Sequence, residues 1–357
     1  MSVHAPAAAG PIGGSLLTRS VVGGAALSVA VLALALFLLG FGMVPLGLDD
    51  VLAALTGSAD SMTTQIVREI RLPRVATAII AGAALGIGGV LMQALFRNPM
   101  ADAWSLGLTA GGQLGVALLV TATAFAGPAA VSFLTVFQGI GLTAGAALGV
   151  GIAAFAMVTL ARRVSTVTLL VVGLMMWFTA QGLVSVVMHF ANRVGGRVFS
   201  GWNDGTFSAV TMSDLPMLAV PVIAGMVLAA FSAKGLTTLL LGETYARSLG
   251  TDVAWLRRAT LGAVVLLVAP VTAYCGPVIF VGLIVPHFAR AIAGSARILP
   301  LLPLAALSGA LLALAADAVV HAPWEQHFLH LNSVLAIVGA PVVIALLLFS
   351  PSMRGQR

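Results

Sequence analysis

The chain has 357 residues, of which 60% are hydrophobic and 8% are charged, and its mean hydropathy is +1.10. A soluble protein carries charge on about a quarter of its positions, so this composition excludes a sizeable water-facing domain and predicts an integral membrane protein. The net charge of +6 comes from basic residues that lie singly between apolar stretches, which argues against a nucleic-acid-binding face.

In chain order, a short polar tail over residues 1–18 precedes a single membrane domain over residues 19–357. The first apolar run has no small-residue cleavage site behind it, so it is predicted to be a retained helix and not a cleaved signal peptide. Apolar runs bounded by charges, glycine or proline predict an all-α polytopic fold of about ten transmembrane helices. They are expected at 20–42, 75–95, 104–125, 136–160, 166–189, 213–232, 259–274, 276–292, 299–319 and 332–350.

The basic residues predict the orientation of these helices. If the N-terminus is inside, 12 of the 17 basic residues fall on inner segments and five on outer segments. The positive-inside rule therefore predicts that both termini are cytoplasmic. The five outer residues are Arg68, Arg71, Arg74, Arg193 and Arg197. Three of them lie in the segment REIRLPR, residues 68–74, where the rule expects few basic residues.

Small residues recur at intervals that let helix backbones approach closely in a membrane. We expect these glycines to pack helices together; the alternative is that they line a pathway. The sets are Gly82 and Gly86, Gly111 and Gly115, and Gly141, Gly145 and Gly149.

Several chemistries have no motif in the chain. The only lysine, Lys234, lies in SAKGL, which is not a phosphate-binding loop, so the chain is not expected to hydrolyse ATP. There is no HExxH, no GxSxG and no pair of buried carboxylates at helical spacing, so an enzyme is not expected. The single cysteine, Cys275, excludes an internal disulfide and a multi-cysteine metal site. No resident metal or cofactor is expected.

A proton-coupled secondary transporter is the alternative from another functional class. Such carriers place ionisable residues inside the membrane. The candidates here, Asp317, His189 and His287, all lie near predicted helix ends, where capping or an interfacial position is expected. The two classes differ in one observable, because only an ATP-driven importer would co-purify with an ATPase.

Four stretches resemble the permease subunits of bacterial ABC importers for ferric siderophores, haem and cobalamin, the FecCD type. They occur in the family's order, with Met100 and Ala103 where the family has Leu and Pro. The stretch GWNDGTFSAVTMSDL, 201–215, is a looser match. The four are RLPRVATAIIAGAALGIGGVLMQALFRNPMADAWSLGLTAGGQLG (71–115), LGETYARSLGTDVAWLRR (241–258), GPVIFVGLIVPHFARAI (276–292) and VGAPVVIALLL (338–348).

The resemblance implies an inner-membrane permease of the large cobalamin and siderophore type, which works as a homodimer. Cytoplasmic ABC ATPases that bind ATP and magnesium would dock on one face, and a periplasmic binding protein would deliver the cargo on the other. An iron chelate is expected as cargo, with ferric siderophore first, haem second and cobalamin third. Outside the lipid bilayer these proteins are the expected partners, and no nucleic acid is expected.

The family's site residues map onto three places. Arg71 and Arg74 match arginines that resemble docking contacts for acidic residues of the binding protein, because a guanidinium can pair bidentately with a carboxylate. The cytoplasmic segment at about 234–258 matches the helix that couples to the ATPase. Its residues are Gly242, Glu243, Ala246, Arg247, Leu249 and Gly250, with Glu243 and Arg247 one helical turn apart.

A third place is the start of a central helix, where Ser165 and Thr166 match residues that narrow the cytoplasmic mouth in the family. Helix capping is an equally good explanation for them. The turn RNPMAD and the segment PHFAR are expected near the coupling interface.

The sequence departs from the family pattern in the last outer loop. His321 occupies the position of a third docking arginine, and the positions of the family's Leu-Pro-x-Gly turn carry Leu329, His330 and Asn332. Two further ionisable residues, Glu325 and His327, lie nearby, so a metal or iron-porphyrin site is an alternative to simple packing. If His321 docks the binding protein, affinity is expected to rise as the pH falls from about 8 to about 6.

Overall fold

The computed structural model describes residues 12–102, 107–125, 138–161, 163–324 and 329–349. Within these ranges the regular structure is helical throughout. The helices are α1 Ile12–Gly40, α2 Leu48–Thr56, α3 Ser61–Gln65, α4 Leu72–Phe96, α5 Leu108–Phe125, α6 Gln138–Leu160, α7 Thr166–His189, α8 Arg193–Asn203, α9 Leu215–Leu239, α10 Glu243–Ser248, α11 Val253–Cys275, α12 Val281–Ala293, α13 Ile298–Val320 and α14 Leu331–Phe349. A π-helical turn, Ile66–Arg71, joins α3 to α4.

The described helices include seven that are long and apolar enough to cross a membrane and three shorter apolar ones, α5, α12 and α14. Each of the ten predicted segments coincides with one of them, which confirms the predicted fold. Four bounds differ by five residues or more. Helix α1 begins earlier, at Ile12, and α12 begins later, at Val281. Helix α9 continues past Lys234 to Leu239, and α11 begins at Val253, before Arg257. Long basic side chains can reach the membrane interface from within a helix, so they do not mark its end.

The centre of the bundle is α4, most of whose residues are buried. Its glycines lie against neighbouring backbone: a Cβ atom built on Gly89 would lie 1.8 Å from the carbonyl oxygen of Gly282 in α12, and one on Gly82 would lie 2.3 Å from that of Gly309 in α13. Without a hydrophobic driving force between helices in lipid, such close approach provides the packing energy. The predicted packing role of the α4 glycines is confirmed.

A second glycine interface joins α5 to α6. Cβ atoms built on Gly111 and Gly115 would lie 2.5 and 2.1 Å from the carbonyl oxygens of Gly149 and Gly145. The same four glycines also border a cavity of about 790 Å³ between α5, α6 and α7. Packing and a glycine-lined space, which the sequence offered as alternatives, therefore coexist here.

The chain is not helical between α11 and α12, from Gly276 to Phe280. Irregular backbone at membrane depth is tolerated only where protein surrounds it and satisfies its polar groups. Asn332 does this: its side-chain oxygen accepts from Ile279 N at 3.3 Å, and its amide nitrogen donates to Pro277 O at 2.7 Å. In the family pattern that the sequence resembles, position 332 is a glycine. The asparagine at this position therefore stabilises the non-helical segment between α11 and α12.

The bundle has two ends, which we name after their motifs. The RLPR end consists of α2, α3, α8, the start of α4 and the C-terminal ends of α1, α7 and α13. The LGE end consists of α10, the start of α11 and the C-terminal ends of α4, α6, α9 and α12. Of the basic residues in the described ranges, five lie at the RLPR end and nine at the LGE end. Placing the LGE end in the cytoplasm satisfies the positive-inside rule, and this orientation stays a prediction.

Candidate functional site

Arg71 fastens the start of α4 to the end of α1. The residue is only 5% exposed, and one amino group donates to Leu39 O at 2.8 Å while the other donates to Val44 O. These carbonyls lie at and just beyond the C-terminus of α1, where helical backbone has no intrahelical partners. The guanidinium therefore serves an internal structural role in this conformation.

Arg74 forms a buried ion pair with Asp317 in the last turn of α13. The distance from Arg74 Nε to Asp317 Oδ2 is 3.1 Å, and the two side chains are 7% and 2% exposed. The buried ion pair, and not helix capping, accounts for Asp317, because a buried carboxylate needs an opposite charge and Arg74 supplies it. The expected interfacial position of Asp317 stays a prediction. This ion pair joins two helices that are far apart in the sequence.

His321 extends the ion pair toward solvent. Its Nδ1 lies 3.1 Å from the second oxygen of Asp317, and its Nε2 lies 3.1 Å from Ser208 Oγ. The three predicted docking positions, Arg71, Arg74 and His321, thus converge at the RLPR end. Docking itself stays a prediction, since both arginines are directed inward here.

The predicted histidine group is only partly described, because Glu325 and His327 lie outside the described residues. His330 Nε2 lies 3.7 Å from an oxygen of Asp204, whereas His321 contacts Asp317 and Ser208. Within the described ranges, no group of three or more His, Cys, Asp or Glu side chains is arranged to hold a metal ion.

At the opposite end, α10 forms a short knob between two turns. Gly242 and Gly250 have φ angles of 118° and 81°, which side-chain-bearing residues rarely adopt. Glu243 and Arg247 form an exposed ion pair at 2.7 Å. Ala246 is buried, and three large apolar side chains are exposed on or beside the helix: Leu241, Tyr245 and Leu249.

The first and third family-like stretches meet beside this knob. Gln93 of α4 donates to Leu283 O at 3.1 Å and accepts from Arg290 at 2.5 Å, while His287 Nε2 lies 3.3 Å from Pro99 O. Arg97, in the RNPMAD turn, borders a groove whose other wall is α10. The turn and PHFAR therefore lie together at the LGE end, as the sequence predicted.

A match to a known family identifies the class of membrane protein to which this helical bundle belongs. The sequence profile of the FecCD transport family matches residues 29–349, nearly the whole chain. The chain belongs to the FecCD transport family.

Relatives of this FecCD permease include the vitamin B12 import system permease protein BtuC of Vibrio cholerae, 32% identical over 80% of this chain and 84% of the relative. The ferric enterobactin transport system permease protein FepD of Escherichia coli is also 32% identical, over 94% and 97%. A solved structure described as an inward-facing conformation of a metal-chelate type ABC transporter has a TM-score of 0.77 at 26% identity, covering 92% and 99%. The chain is thus a membrane-spanning permease of the ABC importer class for siderophore-type or cobalamin-type cargo.

In this FecCD permease, Ser165 is the N-cap of α7. Its Oγ accepts a hydrogen bond from Thr168 N at 3.2 Å and lies 2.8 Å from Thr168 Oγ1. Capping is therefore confirmed for Ser165, and a gating role for Ser165 and Thr166 stays a prediction. A helix that lines a pathway still needs a satisfied N-terminus, so the two roles are compatible.

The FecCD motifs alone did not reveal the partner of Arg74. The available signal was the scarcity of charge: Asp317 lies in a strongly apolar run, where a carboxylate requires a basic partner. Neither the family pattern nor helical periodicity relates residues so far apart in the chain.

Proposed function

We propose that this chain is the permease subunit of an ATP-driven importer that carries an iron chelate, a ferric siderophore first, from the periplasm to the cytoplasm across the bacterial inner membrane. ATP and magnesium would be bound by a separate ABC ATPase, and this chain would perform no covalent chemistry. The observation that carries the proposal is α10, a rigid knob with exposed apolar side chains at the more basic end of a membrane bundle.

The chemistry of α10 suits a protein groove better than water. Glu243 and Arg247 neutralise each other, so the helix presents no net charge to a partner. Tyr245 and Leu249 are 51% and 56% exposed and lie one helical turn apart. Aromatic and aliphatic anchors of this kind contribute most of the binding energy of protein interfaces when a partner buries them.

Replacing Tyr245 and Leu249 together with aspartate is expected to reduce co-purified ATPase at least about tenfold, because two anchors are lost and charge is introduced into the contact. Both side chains are exposed, so the amount of permease in the membrane should not change. The matched control is Met62→Asp/Met212→Asp, which places the same charge at two exposed apolar positions of the RLPR end and should retain the ATPase. Full retention by the Tyr245→Asp/Leu249→Asp variant would contradict the coupling role, and a wild-type permease without any ATPase would favour the proton-coupled transporter.

At the RLPR end we propose docking of a periplasmic binding protein through Arg71, Arg74 and His321. Because Arg74 is paired with Asp317, docking by Arg74 requires a carboxylate of the binding protein to compete with Asp317. His321, at the edge of the same ion pair, would add positive charge when protonated, which is the basis of the expected rise in affinity at lower pH.

A second permease copy is proposed to lie against α7. Few residues of this helix are buried within the protomer, and its exposed side includes Val171, Met175, Phe178 and Val186. These side chains are apolar and face away from the rest of the chain, as expected for a helix that contacts another protomer or borders a shared pathway.

The cargo is tested by deleting the gene and measuring uptake of a ferric siderophore, haem and cobalamin, with the wild-type gene as the complementing control. We expect loss of ferric siderophore uptake. The two relatives described above have the same identity to this chain, so they do not rank iron chelate against cobalamin. Loss of cobalamin uptake alone would support the importer function but would identify cobalamin, not an iron chelate, as its cargo.

A further inference from the structure

Helix α8 is amphipathic and lies at the RLPR end with one face on the bundle. Trp202 is buried with Val116 and Val120 of α5 in a small apolar cluster, and Gly195 allows close contact with Val120. The N-cap is the side chain of Asn192, which accepts from Gly195 N at 2.7 Å. The inward face of α8 is therefore fixed by packing and by its cap.

The outward face carries two arginines. Arg193, Arg197 and Ser200 follow one another at helical spacing, and all three are exposed. Gly196, between the two arginines, and Gly201, after Ser200, have open space where a side chain would lie. No side chain at these two positions covers the exposed arginines.

These two arginines differ from the other three at this end. Arg68 donates to Leu55 O at 2.6 Å, and Arg71 and Arg74 are bound internally. Within the described ranges, Arg193 and Arg197 have no hydrogen-bond or ion-pair partner. Their charge is therefore available to a ligand from outside the protomer.

Among the residues that the structure describes, no acidic side chain pairs with Arg193 or Arg197. Four acidic residues, Asp49, Asp50, Asp60 and Glu69, belong to α2, the N-cap of α3 and the π turn, and these elements pack beside α1 or one another. Asp204, just after α8, lies near His330, and Asp214 accepts from Thr211.

A chain of amides leads from α8 into the bundle. Asn203, the last residue of α8, accepts from Gln113 of α5 at 2.6 Å, and Gln113 accepts from Gln181 of α7 at 2.5 Å. Gln181 lies between Ala180 and Leu183, which border the cavity of about 790 Å³. Amides are costly in an apolar bundle unless they are hydrogen-bonded, so this chain is a defined polar route beside an otherwise apolar space.

We propose that Arg193 and Arg197 receive an anionic metal chelate and that the chain of Asn203, Gln113 and Gln181 guides it toward the cavity. Guanidinium groups pair bidentately with carboxylate or catecholate oxygens, and exposed charge of one sign steers an oppositely charged ligand. The inference rests on the proposed importer function and narrows its cargo to chelates with net negative charge. A small ligand fits better than an acidic protein, because the polar route continues inward beyond the surface.

The test is equilibrium binding to the full-length permease with its ATPase, in nanodiscs of phosphatidylcholine only, so that no anionic headgroup competes. A ferric tris-catecholate is the anionic probe, and cobalamin, which has no net negative charge, is the neutral probe. For Arg193→Gln/Arg197→Gln we expect the Kd of the catecholate to rise about tenfold, with that of cobalamin unchanged. Arg193→Lys/Arg197→Lys should raise the Kd of the catecholate less than the glutamine variant does, because positive charge is kept while bidentate pairing is lost.

Arg68→Gln serves as the matched control, since it removes an exposed arginine at the same end without touching α8. An unchanged Kd for the catecholate, or an equal rise for both probes, would overturn the proposal. A rise seen only in nanodiscs with anionic lipid, or a loss of binding-protein affinity with chelate binding intact, would assign the arginines to lipid or to docking and would also overturn it. If the wild-type permease bound only cobalamin, the proposal of an anionic cargo would be overturned, but the importer function would still hold. If no ATPase co-purified with the permease, the proposed importer function itself would be contradicted.

Discussion

Replacing Asp317 with asparagine is expected to lower the free energy of unfolding of this permease by about 3–5 kcal/mol. The asparagine has nearly the same shape as the aspartate but leaves the guanidinium of Arg74, whose side chain is 7% exposed, without a counter-ion. A buried unpaired charge costs far more than the pair contributes. The measurement is denaturant unfolding in detergent micelles, followed by tryptophan fluorescence.

The chain provides a matched control for this experiment. Glu243→Gln breaks an ion pair of the same chemistry whose side chains are 64% and 43% exposed, and it should cost less than about 1 kcal/mol. The double variant Arg74→Leu/Asp317→Leu should recover much of the lost stability, because no unpaired charge remains. Equal costs for Asp317→Asn and Glu243→Gln would contradict the buried ion pair.

Replacing Gly89 with alanine is expected to destabilise the bundle by about 3 kcal/mol, although only one methyl group is added. The new Cβ would lie 1.8 Å from the carbonyl oxygen of Gly282, and a backbone atom in a packed helix cannot turn aside as a side chain can. Thermal unfolding in detergent and the amount of permease in the membrane would both report the loss.

The adjacent position supplies the control. A Cβ on Gly88 would lie 3.4 Å from a methyl carbon of Val268, which is ordinary contact. Gly88→Ala should therefore be neutral or stabilising by up to about 1 kcal/mol, because alanine favours a helix more than glycine does. If both alanine variants behaved alike, the α4 and α12 backbones would not be in direct contact.

The sequence was sufficient to predict the ten membrane helices, because the thickness of the bilayer determines how long an apolar run must be. It was less informative about where helices end. Lys234 and Arg257 suggested ends for α9 and α11, but both residues lie inside helices. Charge therefore indicates nearness to the interface better than it indicates a helix terminus.

The candidate site was predicted only in part. The position of Arg71 and Arg74 at one end followed from the motif, while their inward direction depends on Leu39, Val44 and Asp317, which only the folded chain brings near. The segment RVGGRVFSGWN was not predicted to be a helix, because its glycines disfavour one. Its cap and its packing on α5 outweigh that cost.

The helical run from Ser61 to Phe96 is continuous through α3, the π turn and α4, and its 36 residues would extend about 54 Å at the rise of an α-helix. The hydrocarbon layer is only about 30 Å thick, so this rod reaches past it. Arg71 and Arg74 lie about a third of the way along it, where α4 begins, and the residue after its C-terminal end is Arg97, beside α10. A displacement at the RLPR end can thus be transmitted to the residues beside α10 along one continuous helical segment, without passing through contacts between helices.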